Sequence, residues 1–231
     1  MHRLLVFDLD GTLAGIGKEI LPEDVEELHR LERSGYRIAI CSGKPVSYLC
    51  GFMRQVGLEE SILIGENGAV FQFGVELPPV SFFRYPCQEE ALEQLRQMRE
   101  LIDRACGGEV WYQPNDVVLT PFPKKEQVFD QIQELADTHA ADLNCLHIYR
   151  HSDSFDIVPK HIDKYNSLEL LTQKLSLSAR DVIAYGDWIN DIPMLEYADV
   201  SVKIGSRLEY EADYSFETIG EALKATGREI L

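Results

Sequence analysis

The sequence predicts an α/β protein: a Rossmann-like, largely parallel sheet with helices on its faces, interrupted by an inserted α+β segment. Three observations carry that prediction. Short unbroken apolar runs at 4–7, 38–41 and 62–64 alternate with stretches of helical periodicity, the pattern of strands buried on both faces. The alternation stops after Gly68 and resumes at Lys164. Polar clusters follow the apolar runs directly, at the strand ends where open parallel sheets bind ligands.

Leu4–Phe7 is the first strand, closed by the turn chemistry of Asp8-Leu9-Asp10-Gly11-Thr12. Val25, Leu28 and Leu31 then share one helical face, with Pro22 at the start and Gly35 as the stop. Arg37–Cys41 is a second strand, 46–56 a second helix ended by Gly57, and 62–64 a third strand. Residues 69–73 read as a strand leaving the sheet, and Leu77-Pro78-Pro79 as a linker. In the insert, Leu92, Leu95, Met98 and Ile102 mark one helix, and Val128, Phe129, Ile132 and Leu135 another. Strands are expected at 110–112, 117–120, 146–150 and 155–158, grouped into one small antiparallel sheet. After Lys164 come a helix at 168–175, a strand at 182–185, a short helix at 192–197 and a strand at 200–204. The expected domains are a split core, 1–78 with 160–231, and an inserted α+β cap, 79–159.

Composition narrows the function. The net charge of −17 repels nucleic acid and anionic membranes, so neither is expected as a partner. The apolar runs are too short to span a bilayer, and the first meets Asp8 almost at once, unlike a signal peptide. Five scattered cysteines, odd in number and without a CxxC pair, fit reduced thiols in a cytoplasmic protein.

The strand-end clusters share one chemistry. Asp8 and Asp10 end the first strand, Ser42-Gly43 the second, and Gly186-Asp187 a later one, with Asn190-Asp191 a turn beyond. Lys164 opens the helix before that strand. Several carboxylates at one edge need a counter-cation, and an oxygen-only ligand set suits Mg2+ where phosphate is handled. A serine hydroxyl, main-chain N–H groups and a lysine supply donors for phosphoryl oxygens. One carboxylate can attack phosphorus, and a second, two residues on, can serve as acid and base.

The segments "DLDGT", "SGK", "HIDKYN" and "GDWINDIPML", in that order, resemble the four motifs of the haloacid dehalogenase superfamily. The place of the insert, between the second and third motifs, and "ENGA" before it resemble the Cof-type branch, whose cap is a large α+β domain. The resemblance implies a Mg2+-dependent phosphatase acting on a small phosphorylated metabolite, such as a sugar phosphate, through an aspartyl-phosphate. It implies Asp8 as nucleophile and Mg2+ ligand, and Asp10 as general acid/base whose carbonyl also reaches the metal. The turn at Gly11 would swing Asp10 back towards the same phosphoryl group, with Thr12 orienting it. Ser42 and the Gly43 N–H would bind the phosphoryl group and Lys164 would neutralise it. Asp187 would bind Mg2+, and Asp191 would be a second ligand or an outer carboxylate. Asn190 would contact phosphate or hold Lys164. Two positions depart from the pattern: Lys44, where arginine is common, and Asn166, where glycine is frequent.

The segment from Ser81 to Val158 carries seven basic and fourteen acidic residues, so the cap is no general anion funnel. Its polar and aromatic candidates are Trp111, Tyr112, Asn115, Asp116, His147, Tyr149, Arg150 and His151. Trp111 and Tyr149 read as half-buried sheet residues, the histidines as surface residues, and Arg150 as the candidate for a second anionic group. The expected assembly is a monomer or weak homodimer. The rival readings are a phosphomutase or phosphotransferase on the same scaffold, and a phospho-accepting signalling module.

Overall fold

The computed structural model describes residues 4–227. The ends of the expected core, 1–3 and 228–231, lie outside them. Two compact units are present: one runs to Phe83 and resumes at Asp163, and the other is Arg84–Ile162. These divisions fall a few residues later than the expected 79 and 160.

The first unit is built on an eight-stranded sheet. Its strands are β1 (Leu4–Phe7), β2 (Arg37–Cys41), β3 (Ile62–Gly65), β4 (Val70–Phe73) and β5 (Ser81–Arg84) before the second unit, and β10 (Val182–Gly186), β11 (Val200–Ile204) and β12 (Tyr214–Phe216) after it. The order is β12-β11-β10-β1-β2-β3-β4-β5. The pairs from β12 across to β3 are parallel, and β4 is antiparallel to β3. Helices α1 (Pro22–Arg33), α2 (Val46–Gln55), α5 (Lys164–Lys174), α6 (Ile192–Tyr197) and α7 (Ile219–Ala225) complete the unit. Strand β1 sits between β10 and β2, and all four of its residues are fully buried. That is why its sequence is continuously apolar rather than alternating. Phe7 stacks on Tyr185 with ring centroids 4.4 Å apart, knitting β1 to β10. The Tyr185 hydroxyl is satisfied by Thr226 Oγ1 at 2.7 Å.

Residues 70–73 do not leave the sheet as expected. They fold back along β3, with Gly65 opposite Val70 and Ile62 opposite Phe73. The cause is the turn Glu66-Asn67-Gly68, whose three φ values are all positive (57°, 57° and 111°) and reverse the chain at once. Glycine is required at position 68 for a second reason: a Cβ there would lie 2.7 Å from Asp163 O and 2.8 Å from Ser167 Cβ. Helix α5 also starts earlier than its apolar pattern suggests. Asp163 is its N-cap, accepting from the Asn166 N–H at 2.7 Å, so the helix opens on Lys164.

The second unit contains α3 (Glu89–Cys106), β6 (Val110–Tyr112), β7 (Pro121–Pro123), α4 (Glu126–Thr138), β8 (Leu146–Arg150) and β9 (Phe155–Pro159). Its strands form two separate antiparallel ribbons, β6-β7 and β8-β9, not the single sheet expected. One isolated bridge, Leu119 to Ile157, connects them. The strand expected at 117–120 is instead Pro121–Pro123, against the usual avoidance of proline. Bonds from Gln113 N–H to Thr120 O and from Lys124 N–H to Glu109 O put the ladder on residues alternating with the prolines. Neither Pro121 nor Pro123 therefore removes a bond. The core of this unit gathers Leu95, Met98 and Ile102 of α3, Val128 and Ile132 of α4, and Phe155 and Ile157 of β9. No helix among the described residues is long and apolar enough to cross a membrane.

Phe155 is fully buried and packs its ring against Phe129 at 5.3 Å. Truncation leaves a cavity that two-stranded ribbons cannot close. Phe155→Ala is expected to destabilise the protein by about 3–5 kcal/mol in urea unfolding. A loss below about 1 kcal/mol would show that the ribbons, and not this ring, hold the unit together.

Candidate active site

Three strand ends and one helix start supply the site. Asp8 continues β1 for one residue, its N–H bonding Tyr185 O at 3.0 Å. The chain then turns tightly, with Gly11 N–H to Ala14 O at 2.7 Å and Leu13 N–H to Asp8 O at 3.2 Å. Gly11 has φ 106°, and a Cβ there would overlap the Asp187 carboxylate. The turn therefore needs glycine both for its backbone and for the close approach of Asp187.

Asp187 follows β10 and is almost wholly buried. Its Oδ1 accepts from Thr12 Oγ1 at 2.8 Å, and its Oδ2 lies 3.4 Å from Arg207 Nη1. Asp191 lies four residues on, fully buried. Its Oδ2 accepts from the main-chain N–H of Asp187 and of Trp188, each at 3.0 Å, which closes the loop on itself. Gly186 makes room for this: a Cβ there would stand 2.5 Å from Asp191 Cβ.

Lys164 reaches this cluster from the first turn of α5 and is 1% exposed. Its ammonium donates to Asp8 Oδ1 at 2.8 Å, Cys41 O at 2.7 Å and Asp191 Oδ1 at 2.7 Å. All three of its protons are thus used. None remains for Asn190, which is half-buried in the turn 189–191.

One ligand oxygen each from Asp8, Asp187 and Asp191 lies within 4.8 Å of the others. Burial, and then the Asp191 charge, push the Asp8 carboxyl up to about 7 in spite of Lys164. Burial likewise raises Asp187, against the hydrogen bond from Thr12. For Lys164, burial opposes the ammonium, but Asp191 and Asp8 outweigh it and its pKa rises. Asp8 and Asp191 thus share one buried ammonium, with the buried Asp187 carboxylate beside them. The all-oxygen donor set and its surplus negative charge fit a hard divalent cation such as Mg2+.

The other expected site residues are placed around this centre. Asp10 does not join the trio: its Oδ1 accepts from the Gly17 N–H at 3.1 Å, and its Oδ2 is 3.6 Å from Lys44 Nζ. Lys44 is thereby occupied with Asp10. Ser42 is buried at the end of β2, its Oγ accepting from the Lys44 N–H at 3.3 Å, and Gly43 is half-buried beside it. Asn166 helps cap α5 through Asp163, where its amide nitrogen lies 3.0 Å from Oδ2.

Two participants were invisible to motif reading. The Cys41 carbonyl is main chain, and any residue there would supply it. Arg207 stands in "IGSRLEY", a segment without recognisable pattern. In the second unit, Arg150 is met by Asp130 at 3.4 Å and lies over the rings of Phe129 and Phe155. Its charge is accounted for without an external anion. Trp111 and Tyr149 are 53% and 47% exposed, more open than core sheet residues. His147 lies beside Tyr149, and His151 pairs with the buried Asp156 at 3.2 Å.

A family model described as haloacid dehalogenase-like hydrolase matches residues 5–99 and 110–209. A phosphoglycolate phosphatase of Methanoculleus marisnigri is 25% identical over 209 residues, covering 88% of this chain and 84% of that relative. One from Halobacterium salinarum is 26% identical, covering 87% and 84%. Among solved structures, a haloacid dehalogenase-like hydrolase from Bacteroides thetaiotaomicron superposes with a TM-score of 0.79 at 20% identity, covering 97% of this chain and 99% of that one. A sugar phosphatase of subclass IIB superposes with a TM-score of 0.70 at 20% identity, with the same coverage. At such identities the structural likeness establishes the fold.

Removing the ammonium should expose the electrostatic cost of this centre. Lys164→Met is expected to lose about 3–5 kcal/mol in chelator-treated protein. The loss should be greater at pH 8 than at pH 6. The variant's folded state takes up a proton on Asp8 at the lower pH and sheds that cost, so stability falls as pH rises. Urea unfolding at the two pH values checks this, and equal losses would contradict it.

Proposed function

Because the chain belongs to the haloacid dehalogenase-like hydrolases, we propose that it is a phosphatase that hydrolyses small phosphate monoesters with the help of Mg2+. The observation that carries the reading is the buried trio of Asp8, Asp187 and Asp191 gathered round Lys164. The phosphatase names of the relatives support the reaction class. They also support a phosphorylated small metabolite, a sugar phosphate or similar ester, as substrate. Five free cysteines fit a reducing, cytoplasmic setting.

In this reading Asp8, Asp187 and Asp191 would hold the ion, and the family resemblance adds the Asp10 carbonyl as a further ligand. The bound ion would offset the charge of the carboxylates and of the phosphoryl oxygens. An Asp8 oxygen attacks phosphorus as the bond to the leaving oxygen breaks. Asp10 gives that oxygen its proton. Ser42 Oγ and the Gly43 N–H receive the phosphoryl oxygens, while Lys164, held on Asp8, neutralises charge beside them. Asp10 then removes a proton from the water that cleaves the aspartyl-phosphate, releasing inorganic phosphate and restoring Asp8. Lys44 sits within ion-pair reach of Asp10 and keeps its carboxylate at the edge of the site. Asn190 is left to meet phosphate, since Lys164 is fully engaged.

Two measurements test this. Phosphate release from a panel of phosphorylated metabolites is expected to stop with excess chelator and return with Mg2+. Asp8→Asn and Asp10→Asn are each expected to cut turnover by at least about a thousandfold while the melting temperature stays within a few degrees. Metal-independent release, or near-native turnover by the Asp8 variant, would overturn the assignment. Transfer of the group to an added sugar hydroxyl, without phosphate release, would favour a phosphotransferase.

A further inference from the structure

Arg207 is the one cation beside the carboxylate trio that the proposed chemistry leaves without a task. It pairs with Asp187, but only through Nη1 and at the long distance of 3.4 Å. Its guanidinium lies over the Trp188 ring, 4.4 Å from the centroid. Its side chain is 50% exposed and Trp188 is 39% exposed. Among the described residues Nε and Nη2 have no hydrogen-bond partner, so the far edge of the fork is open.

This arrangement differs from an ordinary surface arginine. Lying over the indole restrains the guanidinium plane and lowers the rotamer freedom that a flexible arginine loses on binding. Pairing through one nitrogen then sets the rotation of that plane. What remains is a preoriented pair of donors, the geometry that suits a carboxylate or a second phosphate. The donors stand next to Asp187, whose ligand oxygen is within 4.8 Å of those of Asp8 and Asp191. A second anionic group held here would thus be only a few bonds from the transferring phosphorus. Charge points the same way. Asp8, Asp10, Asp187 and Asp191 are opposed by Lys44, Lys164 and Arg207, so a divalent ion leaves the site net positive only because Arg207 is present.

We propose that Arg207, braced on Trp188, selects substrates that carry a second anionic group close to the phosphate ester. This rests on the phosphatase reading above and deepens it. It assigns the second-anion contact to the first unit, not to Arg150 of the second.

The test compares kcat/KM for carboxymethyl phosphate and for carbamoylmethyl phosphate, an uncharged isostere, with p-nitrophenyl phosphate as a general ester. The wild type is expected to prefer the carboxylate at least about tenfold. Arg207→Ala should bring the ratio of the two esters close to one, chiefly through KM. Arg207→Lys should retain part of the preference, because it keeps the charge and loses the fork. Trp188→Leu should lower the ratio less than Arg207→Ala does. A wild-type ratio near one, or a ratio that Arg207→Ala leaves within twofold, overturns the assignment while hydrolysis of the general ester keeps the phosphatase reading standing. No hydrolysis of any of the three esters overturns both.

Discussion

The structure turns on the burial of one ammonium among three carboxylates. Lys164 is sequestered from water, yet all its protons are bonded, two to Asp8 and Asp191 and one to a main-chain carbonyl. Desolvating these ions is expensive, and only complete pairing offsets the cost. The groups come from opposite ends of the chain: Asp8 follows β1, Asp191 follows β10, and Lys164 opens α5. Their meeting therefore requires the parallel register that sets Phe7 against Tyr185. Fold and site are two aspects of one requirement.

Around that centre, missing atoms matter as much as present ones. Gly11 and Gly186 each leave room for a carboxylate that a methyl group would displace, and Gly68 lets the hairpin turn approach the start of α5. These glycines bring three backbone segments close to the charged cluster. Burial in this centre, and then the Asp191 charge, sustain the raised carboxyl pKa of Asp8.

Much of this was legible in the sequence, for identifiable reasons. A strand buried on both faces is written as an unbroken apolar run, so β1 could be read to the residue; β2 and β11, apolar apart from Arg37, Ser201 and Lys203, could be read as well. The motif carboxylates could be read because they lie beside glycines at strand ends. Elements that depend on turn geometry or partner choice were obscure. Positive φ at Glu66, a residue with no signature for it, joined that of Asn67 and Gly68 and turned β4 back into the sheet. The ribbon β6-β7 hid behind two prolines that happen to fall on non-bonding positions. At the site, Arg207 was hidden because a lone arginine in an unpatterned loop announces nothing until the fold sets it against Asp187. Asp10 stood in a motif, yet the motif says nothing of its hold on Gly17 and Lys44.

The bonds of Asp191 divide labour unevenly between aspartates that look equivalent. Asp8 lends one oxygen to Lys164, which keeps two other partners when Asp8 is gone. Asp191 clasps Lys164 with one oxygen and two successive loop amides with the other. Selection on folding alone would thus guard the two unequally. In descendants of this chain that had abandoned turnover, position 8 would drift first, while position 191 would stay acidic long after its chemistry had lapsed. A surviving aspartate there is a record of architecture, not of living catalysis.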